Sequence, residues 1–194
     1  MNLVLNPSGR SRQRQVELRE SPRGTLPNGA LDFREFPLTT ASSVIISNAD
    51  FTESRSPKND FGVEESIQFS WLTCDGVIFD RARPFHRISG QFTNCSFQRI
   101  GTDRGGIGGK FVDCDFTGAS FRNVHLSANF IRCKFHDCNL KVASWGSSFE
   151  DCEFAGASIG RSFAHVSEVA LSAERVTFVV VSGKVRPGET RHIS

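Results

Sequence analysis

The sequence predicts an all-β fold in which the chain winds into a narrow square coil, and three periodicities carry that prediction. Cys95, Cys114, Cys133 and Cys152 stand 19 residues apart, each followed two positions later by Phe. A second ladder runs in step at Phe92, Phe111, Phe130 and Phe149, with the small residues Gly90, Gly109, Ala128 and Ser147 two positions before them. Inside each unit of 19 a small-x-bulky triplet recurs every five residues, with one step of four to close the unit. A helix needs apolar spacings of three and four, and an ordinary strand needs continuous alternation, so a step of five fits neither. It fits a chain that runs extended for about three residues, sends residues i−2 and i to one side as a strand does, and turns a corner with the rest. Four corners close a square. Coils that hydrogen-bond like neighbouring strands stack about 4.8 Å apart, so that residues one period apart lie above one another.

The regular coils span residues 90–164. Sides one to four of one coil read Gly109-Lys110-Phe111, Cys114-Asp115-Phe116, Ala119-Ser120-Phe121 and Val124-His125-Leu126. The next coil reads Ala128-Asn129-Phe130, Cys133-Lys134-Phe135, Cys138-Asn139-Leu140 and Ala143-Ser144-Trp145, followed by Ser147-Ser148-Phe149, Cys152-Glu153-Phe154 and Ala157-Ser158-Ile159. Small residues at i−2 leave room for large rings at i in an interior this narrow. That accounts for an aromatic set of 18 Phe, two Trp and no Tyr, since rings stacked down a dry axis have no partner for a hydroxyl. Each buried Phe stabilises by roughly 1.5 to 3 kcal/mol before the entropy of ordering is subtracted.

Upstream the coil extends more loosely over 41–89. Ile46 and Phe51 keep the step, the stretch from Thr52 to Glu65 breaks it, and Phe69, Cys74 and Phe79 resume it with Ile67, Leu72 and Val77 two before each. The break contains Ser56-Pro57-Lys58-Asn59-Asp60, turn-rich chemistry that predicts a loop protruding from a corner. Residues 1–40, with Pro7, Pro22, Pro27 and Pro37 and no sustained period, are expected to form a basic arm or irregular cap. Residues 165–194 include the apolar run Val176 to Val181, and an open solenoid end must be covered or paired, so this segment is expected to be a cap or a homodimer contact.

The triplets resemble the consensus of the pentapeptide-repeat family, Ala-(Asp/Asn)-(Leu/Phe)-x-x. Ala49-Asp50-Phe51 and Ala128-Asn129-Phe130 match it, and Cys114-Asp115-Phe116 and Cys138-Asn139-Leu140 match with Cys in the small slot. The resemblance implies a right-handed quadrilateral β-helix. The chain departs from the family in a coil of 19 rather than about 20 residues and in placing Ser, Lys or Glu at several middle positions.

The formal net charge of +2 is unevenly spread. Residues 1–30 carry five Arg against two Glu, and residues 183–194 carry Lys184, Arg186 and Arg191 against Glu189, which leaves the body between them slightly acidic. No apolar run approaches the roughly 18 to 20 residues that span a bilayer, and Met1 to Arg12 lacks the apolar stretch of a secretory signal, so the chain reads as cytoplasmic with no membrane partner. In that compartment the six Cys are expected to stay reduced.

Catalytic and metal chemistry find little support. Zinc sites bring ligands together in pairs such as Cys-x₂-Cys, whereas here four Cys share one structural column; no metal or other cofactor is expected. Thiols among Phe rings have raised pKa values and make poor nucleophiles. The run Gly105-Gly106-Ile107-Gly108-Gly109-Lys110 lacks the first Gly and the final Ser/Thr of a phosphate-binding loop, with Arg104 and Phe111 in their places, and reads as one side of a coil. His125 and His136 fall at outward positions with no Ser, Asp or Glu evidently presented to them, which predicts solvated surface. One charge pattern remains: Arg104, Arg122, Lys141 and Arg161 lie just beyond side three of successive coils and are expected to form a basic ridge. Stacked like charges repel unless they meet an acidic protein or a phosphate backbone.

The expectation is therefore a non-enzymatic scaffold that presents loops, ends and corner charges to a protein partner. The family resemblance implies an alternative, a DNA mimic that shields type II topoisomerases, but mimics of that kind are markedly acidic and residues 90–164 carry eight Lys/Arg against seven Asp/Glu. A third reading is salt-sensitive, non-specific nucleic-acid binding through Arg10, Arg12, Arg14, Arg19 and Arg23.

Overall fold

A computed structural model describes residues 22–159, apart from 39, 59, 65, 84 and 143, together with 172–174. Residues 1–21 of the expected arm, and most of the expected C-terminal cap or dimer contact, lie outside the described residues. The described chain is built of β-strands: β1 (Leu31–Asp32), β2 (Thr40–Ser42), β3 (Ile45–Ser47), β4 (Ala49–Asp50), β5 (Ile67–Asp75), β6 (Phe85–Thr93), β7 (Gly101–Val112), β8 (Ser120–Ile131), β9 (Asn139–Leu140), β10 (Ser144–Trp145), β11 (Ser148–Glu150), β12 (Ser158–Ile159) and β13 (Ser172–Glu174). Every one of these strands pairs in parallel with the strand of the next coil. Parallel pairing between successive turns of one winding chain makes a four-sided β-solenoid.

The period appears directly in the register. From Gly101↔Ser120 to Val112↔Ile131 the strands β7 and β8 are paired 19 residues apart, and β11 continues at the same interval with Phe149 on Phe130. On side two the rings of Phe33, Phe51, Phe79, Phe97, Phe116, Phe135 and Phe154 stack face to face, with centroids 4.9–5.5 Å apart and planes within 17°. Their numbering gives coils of 18, 28, 18, 19, 19 and 19 residues. On side one Phe92, Phe111, Phe130 and Phe149 form a second stack with spacings of 4.7–5.1 Å. The two stacks meet edge to face, as at Phe111–Phe116 and Phe130–Phe135, so each ring offers its positive edge to the negative face of a neighbour. Cys95, Cys114, Cys133 and Cys152 fill the small column beside them and are all buried.

Two of the four corners turn through a residue in the left-handed region in every coil. One column holds Asn48, Gly76, Asn94, Asp113, Arg132 and Asp151; the other holds Glu35, Glu53, Arg81, Arg99, Gly118, Asp137 and Gly156. Gly, Asn and Asp tolerate this conformation best, which explains their concentration in the first column. Where the middle residue of side two is Asp, its carboxylate accepts the backbone N–H two residues on, from Thr52 to Asp50 and from Thr117 to Asp115, both at 2.8 Å. That bond fixes the turn at the corner.

Three boundaries differ from expectation. Stacking begins at Leu31 rather than at position 41: β1 pairs with β4, and Phe33 lies 5.0 Å from Phe51 with planes 7° apart. The triplet there is Leu31-Asp32-Phe33, whose large first residue hides it from a search for small ones. The break after Phe51 starts later than Thr52, since Ser54 and Ser56 are buried and Arg55 pairs with Arg83 in the coil above. The protruding segment is therefore residues 57–66, a hairpin closed by the antiparallel bridge Lys58↔Glu64, and it accounts for the coil of 28 between Phe51 and Phe79. Beyond the regular coils one more strand is described, β13, with Ser172 paired to Ser148.

Candidate interaction surface

The described interior offers no reactive group to solvent. Phe rings, aliphatic side chains and all six thiols are buried. The Cys138 thiol donates to the Phe116 carbonyl at 2.8 Å, and burial pushes its pKa up to about 12. Burial also raises the Cys74 thiol well above its ordinary value. Cys114 donates to the carbonyl oxygens of Phe92 and Val112, and hydrogen bonds within the thiol column together with burial hold it protonated. Among the described residues no three His, Cys, Asp or Glu side chains converge as a metal site requires, and no helix is long and apolar enough to cross a membrane. The glycine-rich run 105–109 lies within β7 as two sides of a coil. A Cβ on Gly105 would fall 1.7 Å from the His86 carbonyl oxygen and one on Gly109 2.1 Å from that of Gly90, so these glycines serve coil-to-coil approach.

Two histidines depart from the sequence reading. His125 Nδ1 lies 2.7 Å from Ser144 Oγ, and His136 Nε2 lies 2.8 Å from Glu153. Both partners stand in the next coil, 19 and 17 residues on, and the stacking period alone brings them together. Among the described residues no carboxylate is bonded to His125, so the Ser–His contact lacks the third group that would orient a base.

The predicted ridge is present in its described part. Asn123 donates its backbone N–H to the Lys141 carbonyl at 3.0 Å, which sets Arg122 and Lys141 one above the other on successive coils. Arg104 stands one position further along the corner, because Asp103 is the register partner of Arg122. All three side chains are exposed; Arg161 lies outside the described residues. The stacking adds cations that the sequence reading passed over. Arg55 and Arg83 are paired at the middle of side three, and Arg87 is paired with Gln68 on side four. The coil of 28 separates Arg55 from Arg83, and that irregular interval masked the column.

Charge is segregated around the coil. Sides one and two with their corners (residues 31–35, 44–53, 72–81, 91–99, 110–118, 128–137 and 147–156) carry twelve Asp/Glu against six Lys/Arg. Sides three and four, leaving out the hairpin, carry Arg55, Arg83, Arg87, Arg104, Arg122 and Lys141 against Asp103 alone. The ion pairs Arg34–Asp32, Arg81–Glu53 and Arg132–Asp113 all lie on the acidic half. Arg34 holds the Asp32 carboxyl down at about 2 through its hydrogen bonds.

Large apolar side chains reach solvent at one region of the described surface. Phe61 and Val63 sit on the hairpin, Trp71 at the far end of side four, and Ile45 on side one of the coil beneath. Phe61 is 89% and Trp71 77% exposed.

A family model described as pentapeptide repeats matches residues 107–143, in eight copies. No curated protein and no solved structure matches the chain.

Proposed function

We propose, for a chain whose central coils are pentapeptide repeats, a non-enzymatic role as a scaffold that holds a protein partner on its outer surface. The observation that carries this reading is the exposed apolar group at the hairpin. Phe61, Val63 and Trp71 stand out from described residues whose other large apolar side chains are packed towards the axis, apart from Ile45 beside them. Exposed aromatic groups of this kind mark contact surfaces and supply most of the energy of association. A stiff coil with a hairpin of residues 57–66 at one corner presents that group without the entropy loss of ordering a flexible loop. The test is affinity capture from native extract with the wild-type chain and with a variant whose residues 57–66 are replaced by Asn-Gly. One or a few proteins retained by the wild type and lost by the variant support the scaffold; an identical retained set from both contradicts it.

One observation favours a second reading. The acidic half has twelve carboxylates on sides one and two although the coils as a whole are nearly neutral, so a negatively charged strip of the kind expected of a DNA mimic is present on one face only. A supercoiling assay with a type II topoisomerase tests it: inhibition at stoichiometric protein supports mimicry, and unchanged activity at large excess removes it.

A further inference from the structure

We propose that sides three and four, over the coils that hold Arg55, Arg83 and Arg87, bind an acidic polypeptide segment whose carboxylates meet these arginines and whose apolar side chain packs against Trp71 and the hairpin. The inference deepens the scaffold reading and rests on it.

Arg55 and Arg83 are register partners on adjacent parallel strands, so their side chains leave the same side of the coil about 4.8 Å apart. Arg87 leaves side four of the same coil as Arg83. Like charges this close repel, and none of the three has an ion pair among the described residues, although the acidic half of the same coils pairs three of its own arginines. An arrangement that raises the energy of the free molecule is relieved by a ligand that brings carboxylates to it.

The apolar group adjoins these cations. Trp71 lies three residues beyond Gln68, the register partner of Arg87, and the hairpin begins two residues after Arg55. Trp71 is held at φ +59°, a conformation that suits Gly or Asn and disfavours a bulky side chain. Ser43 occupies the equivalent corner of the coil below at φ +57°, so the fold itself does not ask for a ring there. Arg and Trp side by side at an exposed site have the composition of an interface centre.

Charge on the hairpin separates a polypeptide from a nucleic acid. Asp60 and Glu64 flank Phe61 and Val63 and are exposed. A phosphate backbone brings a charge with every nucleotide and meets repulsion where it passes these carboxylates. A polypeptide can set its acids over the arginines and turn an uncharged apolar residue to the hairpin.

The test is fluorescence anisotropy with three labelled probes at low and physiological salt: a short peptide alternating Glu with Leu and Trp, polyglutamate of equal charge, and oligothymidylate of equal charge. The peptide of mixed character is expected to bind most tightly. Its affinity should fall by at least about tenfold with Arg83→Glu/Arg87→Glu and with Trp71→Gly, and stay unchanged with Lys110→Glu on side one. Trp71→Gly suits the backbone at that position, and a melting curve for each variant confirms that it is folded. Equal or tighter binding of oligothymidylate overturns the proposal in favour of a nucleic-acid surface. Equal binding of polyglutamate overturns the apolar part, and absence of saturable binding, or variants that bind as the wild type does, overturns the whole. If the peptide does not bind while capture still depends on the hairpin, the scaffold stands and its partner has different chemistry.

Discussion

A Cβ on Gly109 would lie 2.1 Å from the carbonyl oxygen of Gly90, and the residue sits at φ +98°. Both facts forbid a side chain, one through a backbone atom that cannot move aside and the other through the left-handed conformation. Gly106, three residues earlier in β7, has neither constraint, and its Cβ would meet the His125 carbonyl at 3.6 Å, an ordinary contact. Gly109→Ala is expected to destabilise by about 3 kcal/mol or more, whereas Gly106→Ala stays within about 0.5 kcal/mol of wild type, both read from denaturant unfolding. Equal costs for the two would contradict the coil-to-coil approach described for Gly90 and Gly109. The thiol column makes a similar demand in volume. Cys114 lies between Cys95 and Cys133 beside stacked rings, so Cys114→Leu overpacks the axis at a cost of typically about 1 to 3 kcal/mol. If the Cys114→Leu variant melts at or above the wild-type temperature, this column has room to spare.

At the scale of the element, the hairpin and the coil it interrupts are energetically separate. The coils beneath and above residues 57–66 pair in register across the insertion, Ile45 with Thr73 and Asp50 with Ile78, as though it were not there. Replacing 57–66 by Asn-Gly gives Arg55 and Phe69 the spacing that separates Gly101 from Ile107, and a shorter loop is entropically cheaper to close. Stability is expected to stay within about 1 kcal/mol of wild type; a variant that fails to fold would show that the hairpin is part of the core. This separation also explains what was legible in the sequence. From residue 90 onward the intervals of 19 are uninterrupted, and the coil, its two Phe ladders and its thiol column could be read directly. In the first half Leu31, Val44, Ile67 and Leu72 stand in the small slots, and the insertion stretches one coil to 28, so the period is present but disguised. Contacts between coils were the least visible: His136 meets Glu153 and His125 meets Ser144 only because the winding stacks them.

For the molecule as a whole, the partition of charge matters more than its sum. Counted along the chain the regular coils look neutral; counted around the coil they divide into an acidic half and a basic half. The ridge of Arg104, Arg122 and Lys141 was legible because 19-residue spacing places it there, while Arg55, Arg83 and Arg87 needed the register of the irregular coils. The whole-molecule response to pH follows from the thiols. Cys138 and Cys74 have folded-state pKa values raised by burial, Cys138 to about 12, above the ordinary thiol value of about 8.5. A group raised on folding leaves stability intact below its unfolded pKa and removes it as pH climbs towards the folded one. Stability is therefore expected to decline between about pH 8.5 and 12, with no Tyr to contribute in that window, and Cys138→Ala should flatten part of the slope. Denaturant midpoints at about pH 7.5 and pH 10 check this, and equal midpoints would contradict it.

The account depends most on a dry axis of thiols and rings that leaves every functional group to the outside. Thiol reactivity towards a maleimide or an aromatic disulfide at mildly alkaline pH measures that axis directly. The six Cys are expected to stay unmodified in the folded chain and to react together once it is unfolded in denaturant. Any of Cys95, Cys114, Cys133 or Cys152 reacting in the folded chain at the rate seen in denaturant would contradict it.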